Sequence, residues 1–144
     1  MTVERNIATA RRFVEEHNAP DYQAAHDELL ADGARLHVAI PGTPDLLDRD
    51  GHKQLVAMFR AALPDIRNTV EDIIAEGDSV VVRWSGMGTH TGELMGVPGS
   101  GRPVSTTGVY IFRLSGGRIV ESWLSLDLLG VLQQIGAIPA PTPA

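Results

Sequence analysis

Cysteine is absent from the 144-residue chain, which excludes disulfides, a thiol nucleophile and cysteine-bound zinc or iron–sulfur sites. Basic residues are few, 12 Lys and Arg against 18 Asp and Glu; the net charge of -6 argues against nucleic acid, whose phosphates reward a basic face. No apolar run approaches the ~18 residues of a membrane span. The start "MTVERNIATARRF" lacks the apolar centre of a secretory signal, so a cytoplasmic protein off the membrane is expected. The redox and nucleotide motifs are missing as well. "GMGTHTG" (Gly86–Gly92) has the wrong spacing for GxGxxG and leads to a loop before a strand rather than a helix, and there is neither a Walker loop nor a GxSxG elbow. The five histidines, His17, His26, His37, His52 and His90, stand singly, with no spacing that announces a facial triad; neither a metal nor any other cofactor is expected.

What is present reads as one domain. Val3, Ile7, Ala10 and Val14 recur at helical spacing behind Thr2, a possible cap. A second short helix starts at Asp21 and turns Tyr22, Ala25, Leu29 and Leu30 inward. "RLHVAI" (residues 35–40) reads as a strand and "PGTPDLLD" as a loop. Asp50 can cap a third helix whose Leu55, Met58, Phe59 and Ala62 share a face, and Pro64 stops it. The period then changes. "IRNTVEDIIAE", "SVVVRWSGMGTH", "RPVSTTGVYIFRL" and "GRIVESWLSL" are rich in β-branched and aromatic residues and predict long strands of an antiparallel meander. A last helix, "LLGVLQQI", ends at Gly136, and a Pro-rich tail follows. The expected organisation is a single domain over 1–138 with a tail over 139–144. Helices followed by a curling sheet give an α+β class: N-terminal helices on a curved, mainly antiparallel sheet, forming an α+β barrel or cone around an apolar cavity.

The stretch from Gly88 to Gly136 carries His-x-Gly-Glu before a Gly/Pro loop ending in Gly-Arg, then Gly-Arg-Ile after a turn. It closes with Asp near the end of the final strand, followed by Gln-Ile-Gly. These features resemble the SnoaL-like polyketide cyclase family, which has the cone-shaped fold of nuclear transport factor and ketosteroid isomerase. The same scaffold hosts isomerases, cyclases, hydroxylases, epoxide hydrolases and non-enzymatic binders, so the fold alone does not choose a reaction. By that resemblance the ring-closing members carry a carboxylate three residues before the Asp that heads the final helix, which here is Leu124. Their Gln and His on the preceding strand fall on Gly108 and Tyr110. Leu124 and Gly108 can neither remove nor return a proton, and a tyrosine with an ordinary pKa near ~10 is a poor base.

Asp127 is the carboxylate that remains. As the cap of the last helix it satisfies backbone N–H groups at the positive end of the dipole, which weakens it as a base. The cap is the expected role and catalysis the alternative. The lost acid/base pair points by resemblance to the branch associated with hydroxylation of anthracycline-type polyketides. The expected activity is therefore cofactor-independent ring hydroxylation with molecular oxygen. The electrons would come from a reduced hydroquinone substrate, prepared by a separate reductase. A polyketide cyclase or isomerase working through Asp127 or His37, and a non-catalytic ligand-binding module, are the alternatives.

Strand alternation places Gly108, Tyr110 and Phe112 on one face and Ser122, Leu124 and Leu126 on the matching face of the next strand. By resemblance these are the cavity faces. Tyr110, His37 and Asp127 are the catalytic candidates, His37 being expected under the helices; for Tyr110 and His37 a core role is the alternative. Trp84, His90, Gly108, Phe112, Ser122 and Leu124 are the candidates for contact with a polycyclic aromatic polyketide. Trp84 offers a flat wall, and His90 either lines the site or ties down the loop Gly92–Gly101, which is either a gate or a plain connection. Trp123 points the other way, and a homodimer through the outer sheet face is expected.

Overall fold

The structure, a computed structural model, describes residues 2–141. Four α-helices pack on one six-stranded sheet. In chain order the elements are α1 (Val3–Glu15), a 3₁₀ turn (Glu16–Asn18), α2 (Tyr22–Leu29), β1 (Leu30–His37), β2 (Leu46–Leu47) and α3 (Arg49–Ala62). They continue with β3 (Arg67–Glu76), β4 (Ser79–Thr89), β5 (Pro103–Ser115), β6 (Arg118–Leu126) and α4 (Leu128–Gln134). The sheet order is β2-β1-β6-β5-β4-β3, with β1 parallel to β6 and every other pair antiparallel. The sheet is mixed and open, with edges at β2 and β3. α1 lies across β3 and β4, α3 against β1, and α4 against β5. The core therefore sits between the helices and the inner face of a cone.

The caps are local chemistry. Thr2 accepts from the Arg5 N–H at 3.2 Å, and Asp127 accepts from the Gly130 N–H at 3.0 Å. The third helix is capped by Asp48, not Asp50: Asp48 is extended and its carboxylate accepts from the Gly51 N–H at 2.7 Å. Asp50 falls in the first turn, where a negative charge also suits the dipole. Two further boundaries differ. Leu30 opens β1 rather than closing α2, and β1 ends at His37. Gly33, at φ +76°, makes the bulge that shifts the pairing with β6 between Leu30 and Arg35. The loop read after β1 contains the short strand β2, which pairs Leu46 with His37 and Leu47 with Leu36.

The register of the last strands is the one alternation implies: Gly108 faces Leu126, Tyr110 faces Leu124 and Phe112 faces Ser122. In the Pro-rich tail, residues 139–141 carry no regular structure, and residues 142–144 lie outside the described residues. Among the described residues no helix is long and apolar enough to cross a membrane.

Candidate active site

An apolar cavity opens between α1, α3 and the inner sheet face, with Leu55, Phe59, Trp84, Tyr110, Leu124 and Leu126 among its walls. Its volume is about 80 Å³, and the exposed Met87 stands at its rim.

Three histidines from the helical segments converge beside this cavity, and His17 and His52 line it. His17 follows Phe13 by one turn at the end of α1, His26 follows Tyr22 by one turn on α2, and His52 precedes Leu55 and Val56 on α3. Each occupies the buried stripe of its segment, and all three are buried. Phe13 packs among them, its ring centroid 4.7 Å from His17, 5.1 Å from His26 and 5.4 Å from His52. The histidines therefore do not stand singly: three of the five converge, because the 3₁₀ turn after α1, the middle of α2 and the first turn of α3 pack on one phenylalanine. The sequence did hold a signal for them, since each lies one turn or less from the buried apolar residues of its own helix.

The hydrogen bonds among them have a forced direction. The Tyr22 carbonyl can only accept, so His26 Nδ1–H donates to it at 2.9 Å. In a neutral ring Nε2 then carries the lone pair, and it accepts from His52 Nδ1–H at 2.8 Å. That leaves the lone pair of His52 on Nε2, at the cavity wall, where the Tyr110 hydroxyl donates to it across 3.4 Å. The rings are neutral because water is excluded. Burial, aided by the neighbouring His26, holds His52 down to about 3. Burial first, then His52, His26 and Arg60, holds His17 well below the ordinary histidine range, and burial also lowers His26. Burial raises the Tyr110 hydroxyl, so it stays a donor.

Other polar atoms in the wall have no protein partner. Trp84 Nε1, Asn68 Oδ1 and His17 Nε2 are buried and unbonded, although all three residues line the cavity. A ligand oxygen or a water in the cavity would satisfy all three. Asn68 is fixed by a reciprocal pair with Asn18, at 2.6 Å and 2.9 Å. Gly86 leaves room for its side chain: a Cβ there would lie 2.6 Å from Asn68 Oδ1. Gly108 does the same for Trp84, since a Cβ would meet the indole at 2.4 Å. The position expected to touch substrate through Gly108 is thus filled by the Trp84 ring.

The remaining expected residues fall into three places. Leu124 lines the cavity, while Phe112 and Ser122, on the same inner face, lie in the buried core. His90 is fully buried in the loop region; its Nδ1 accepts from the Ser100 N–H at 3.2 Å and meets the Ser100 hydroxyl at 2.8 Å, tying the loop down. Leu94 anchors the same loop in a cluster with Leu63, Val104 and Val131. His37 is not under the helices. It points to the outer face, where it stacks on Trp123 at 5.1 Å and bonds Glu121 at 2.7 Å. The alternation Leu36–Val38–Ile40 puts the apolar residues inward and His37 outward. Asp127 is exposed, caps α4 and is not part of the cavity wall.

The ligand atoms of His17, His26 and His52 lie within 4.8 Å of one another, and three imidazoles are a zinc-type donor set. A dication there would face Arg60 in the cavity wall with no carboxylate in the cluster to offset it.

An open α+β cone with a small-molecule cavity and an oriented imidazole defines the class. The chain belongs to the SnoaL-like polyketide cyclase family, whose model matches residues 8–135. It is 29% identical over 142 residues to the aklanonic acid methyl ester cyclase DnrD of Streptomyces peucetius, covering 95% of this chain and 94% of that protein. Among solved structures it resembles IdmH, a proposed polyketide cyclase from Streptomyces antibioticus, with 34% identity, a TM-score of 0.80 and coverage of 91% and 98% of the two chains. It also resembles AclR, a proposed hydroxylase from Streptomyces galilaeus, with 25% identity, a TM-score of 0.86 and coverage of 98% and 87%.

Proposed function

We propose that this chain closes a ring in a polyketide by acid/base catalysis, with His52 as the base. The observation that carries this reading is the directed chain from the Tyr22 carbonyl through His26, which sets the acceptor lone pair of His52 on Nε2 at the cavity wall, where its one protein partner is the long 3.4 Å contact from Tyr110 that a substrate displaces. His52 Nε2 takes a proton from a carbon flanked by two carbonyls. The enolate carbon then attacks a third carbonyl of the same molecule, and the resulting alkoxide takes the proton back from His52. Tyr110 O–H and Trp84 Nε1–H are the neutral donors available to the developing oxyanion. An imidazole held near 3 is a weak base. It suits a doubly activated carbon acid, and the charge that develops on the enolate raises its proton affinity during transfer.

A second reading keeps hydroxylation, supported by the likeness to AclR and by leucine at position 124. There a hydroquinone substrate, prepared by a separate reductase, supplies two electrons; one oxygen atom enters the ring and the other leaves as water. Mass spectrometry of products from an open diketo polyketide and a reduced anthracycline-type quinone, in air and under argon, separates the two. Ring closure leaves the mass unchanged or lowers it by one water, and proceeds under argon. A gain of one oxygen atom in air alone would replace it with hydroxylation.

The reading includes a homodimer. Ile74, Val81, Ile111, Trp123 and His37 are successive register partners and form one row across the outer face. Ile74 is 65% exposed and Ile111 39%, apolar surface that a second copy of the same sheet would cover. Light scattering is expected to give twice the chain mass, and Ile111→Glu half of that. A parent protein that scatters as a monomer ends the proposal.

A further inference from the structure

Arg60 is the one ionised side chain among the residues of the cavity wall, and it is held entirely by neutral groups. Its Nη1 donates to the His17 carbonyl at 2.5 Å, and its guanidinium lies over the Tyr22 ring, 5.0 Å from the centroid. Among the described residues it has no carboxylate partner, as is also true of Arg5 on α1, whereas Arg11, Arg12, Arg49 and Lys53 each have one. A guanidinium has five N–H donors in a fixed fork, and one carbonyl uses only one of them. Arg60 is half-buried at the cavity wall, so the donors that the His17 carbonyl leaves free can be offered to a ligand there.

We infer that Arg60 is a subsite for a carboxylate, so that the substrate is a polyketide free acid rather than an ester. The inference rests on the cyclase reading for the identity of the cavity as a substrate site. The chemistry of the wall divides the ligand into parts. Leu55, Phe59 and Trp84 take an aromatic body. Trp84 Nε1, the Asn68 amide and His17 Nε2 are neutral groups suited to ketone and hydroxyl oxygens. None of them can balance a full negative charge; only Arg60 can, through a forked pair of charge-assisted bonds. His17 links this subsite to the reacting end, its carbonyl holding Arg60 and its ring in the cluster with His52. Arg60 positions the substrate and takes no part in proton transfer. DnrD is named for a methyl ester, a group with no charge for such a subsite to balance.

Calorimetric binding of 1-naphthoate and methyl 1-naphthoate to the full chain tests this without any turnover, so it stands or falls separately from the role of His52. The acid is expected to bind at least about tenfold tighter than the ester. Arg60→Gln is expected to bring the two ligands level, and Arg60→Lys to retain part of the preference because the charge remains. Urea unfolding of each variant checks that the fold is kept. Equal binding of acid and ester by the parent protein, or a preference that survives Arg60→Gln, would overturn the inference.

Discussion

Replacing His52 with glutamine lowers turnover by about 10²–10⁴-fold, the usual contribution of a positioned general base. Glutamine has similar length and keeps hydrogen-bonding atoms near His26 and Tyr110, but it cannot accept and return a proton at neutral pH. The loss therefore falls on kcat, with substrate affinity less affected. His26→Gln gives a smaller loss, because His26 is a positioning residue: it fixes which nitrogen of His52 faces the cavity and never meets the substrate. Asp127→Asn is the contrasting control. Asparagine caps a helix about as well as aspartate, so turnover and stability stay close to those of the parent. Steady-state kinetics on the three variants, with urea unfolding as the check on folding, decides the matter. If His52→Gln retains full turnover while Asp127→Asn loses it, the carboxylate at the head of α4 is the base and the histidine chain is structural.

Stability against pH is the second large effect. His17, His26 and His52 have folded-state pKa values below the unfolded value of 6.5, because the folded core excludes the water their charged forms need. The sign follows from proton uptake. Above pH 6.5 the rings are neutral folded and unfolded, and they cost nothing. As the pH falls below 6.5 the unfolded chain binds protons that the folded chain refuses, so stability falls with pH. For His52 the decline runs down to about 3. Each histidine contributes a slope of about 1.4 kcal/mol per pH unit within its window. Asp27, Glu28 and Asp65 are also lowered, by hydrogen bonds to Lys53, Arg12 and Thr89, but they act only where carboxylates protonate, further into acid. Urea unfolding at pH 7.5, 6.0 and 5.0 is expected to show a slope of more than one proton, and His17→Phe is expected to remove one of them. A flat profile between pH 7.5 and 5.0 would mean that the three rings are hydrated.

Periodicity and end chemistry were legible in the residues themselves. The order of helices and strands, the caps at Thr2 and Asp127, and the faces on which Tyr110 and Leu124 lie rest on spacings of two, three or four residues. Physics at that range is local. The same alternation put Tyr110 with Phe112 and Leu124 with Ser122, while the reading of those faces as cavity walls came from the family resemblance. His37 shows the opposite case: the alternation of Leu36, Val38 and Ile40 already set it outward, although its place on an apolar strand invited an inward reading. The site itself needed the tertiary structure. His17, His26 and His52 lie 9 and 26 residues apart in sequence, and Arg60 sits 43 residues from the carbonyl that holds it. No period relates such positions. They meet because the buried stripes of α1, α2 and α3 are pressed against one sheet, and only that packing removes the water, neutralises the imidazoles and gives their hydrogen bonds a direction.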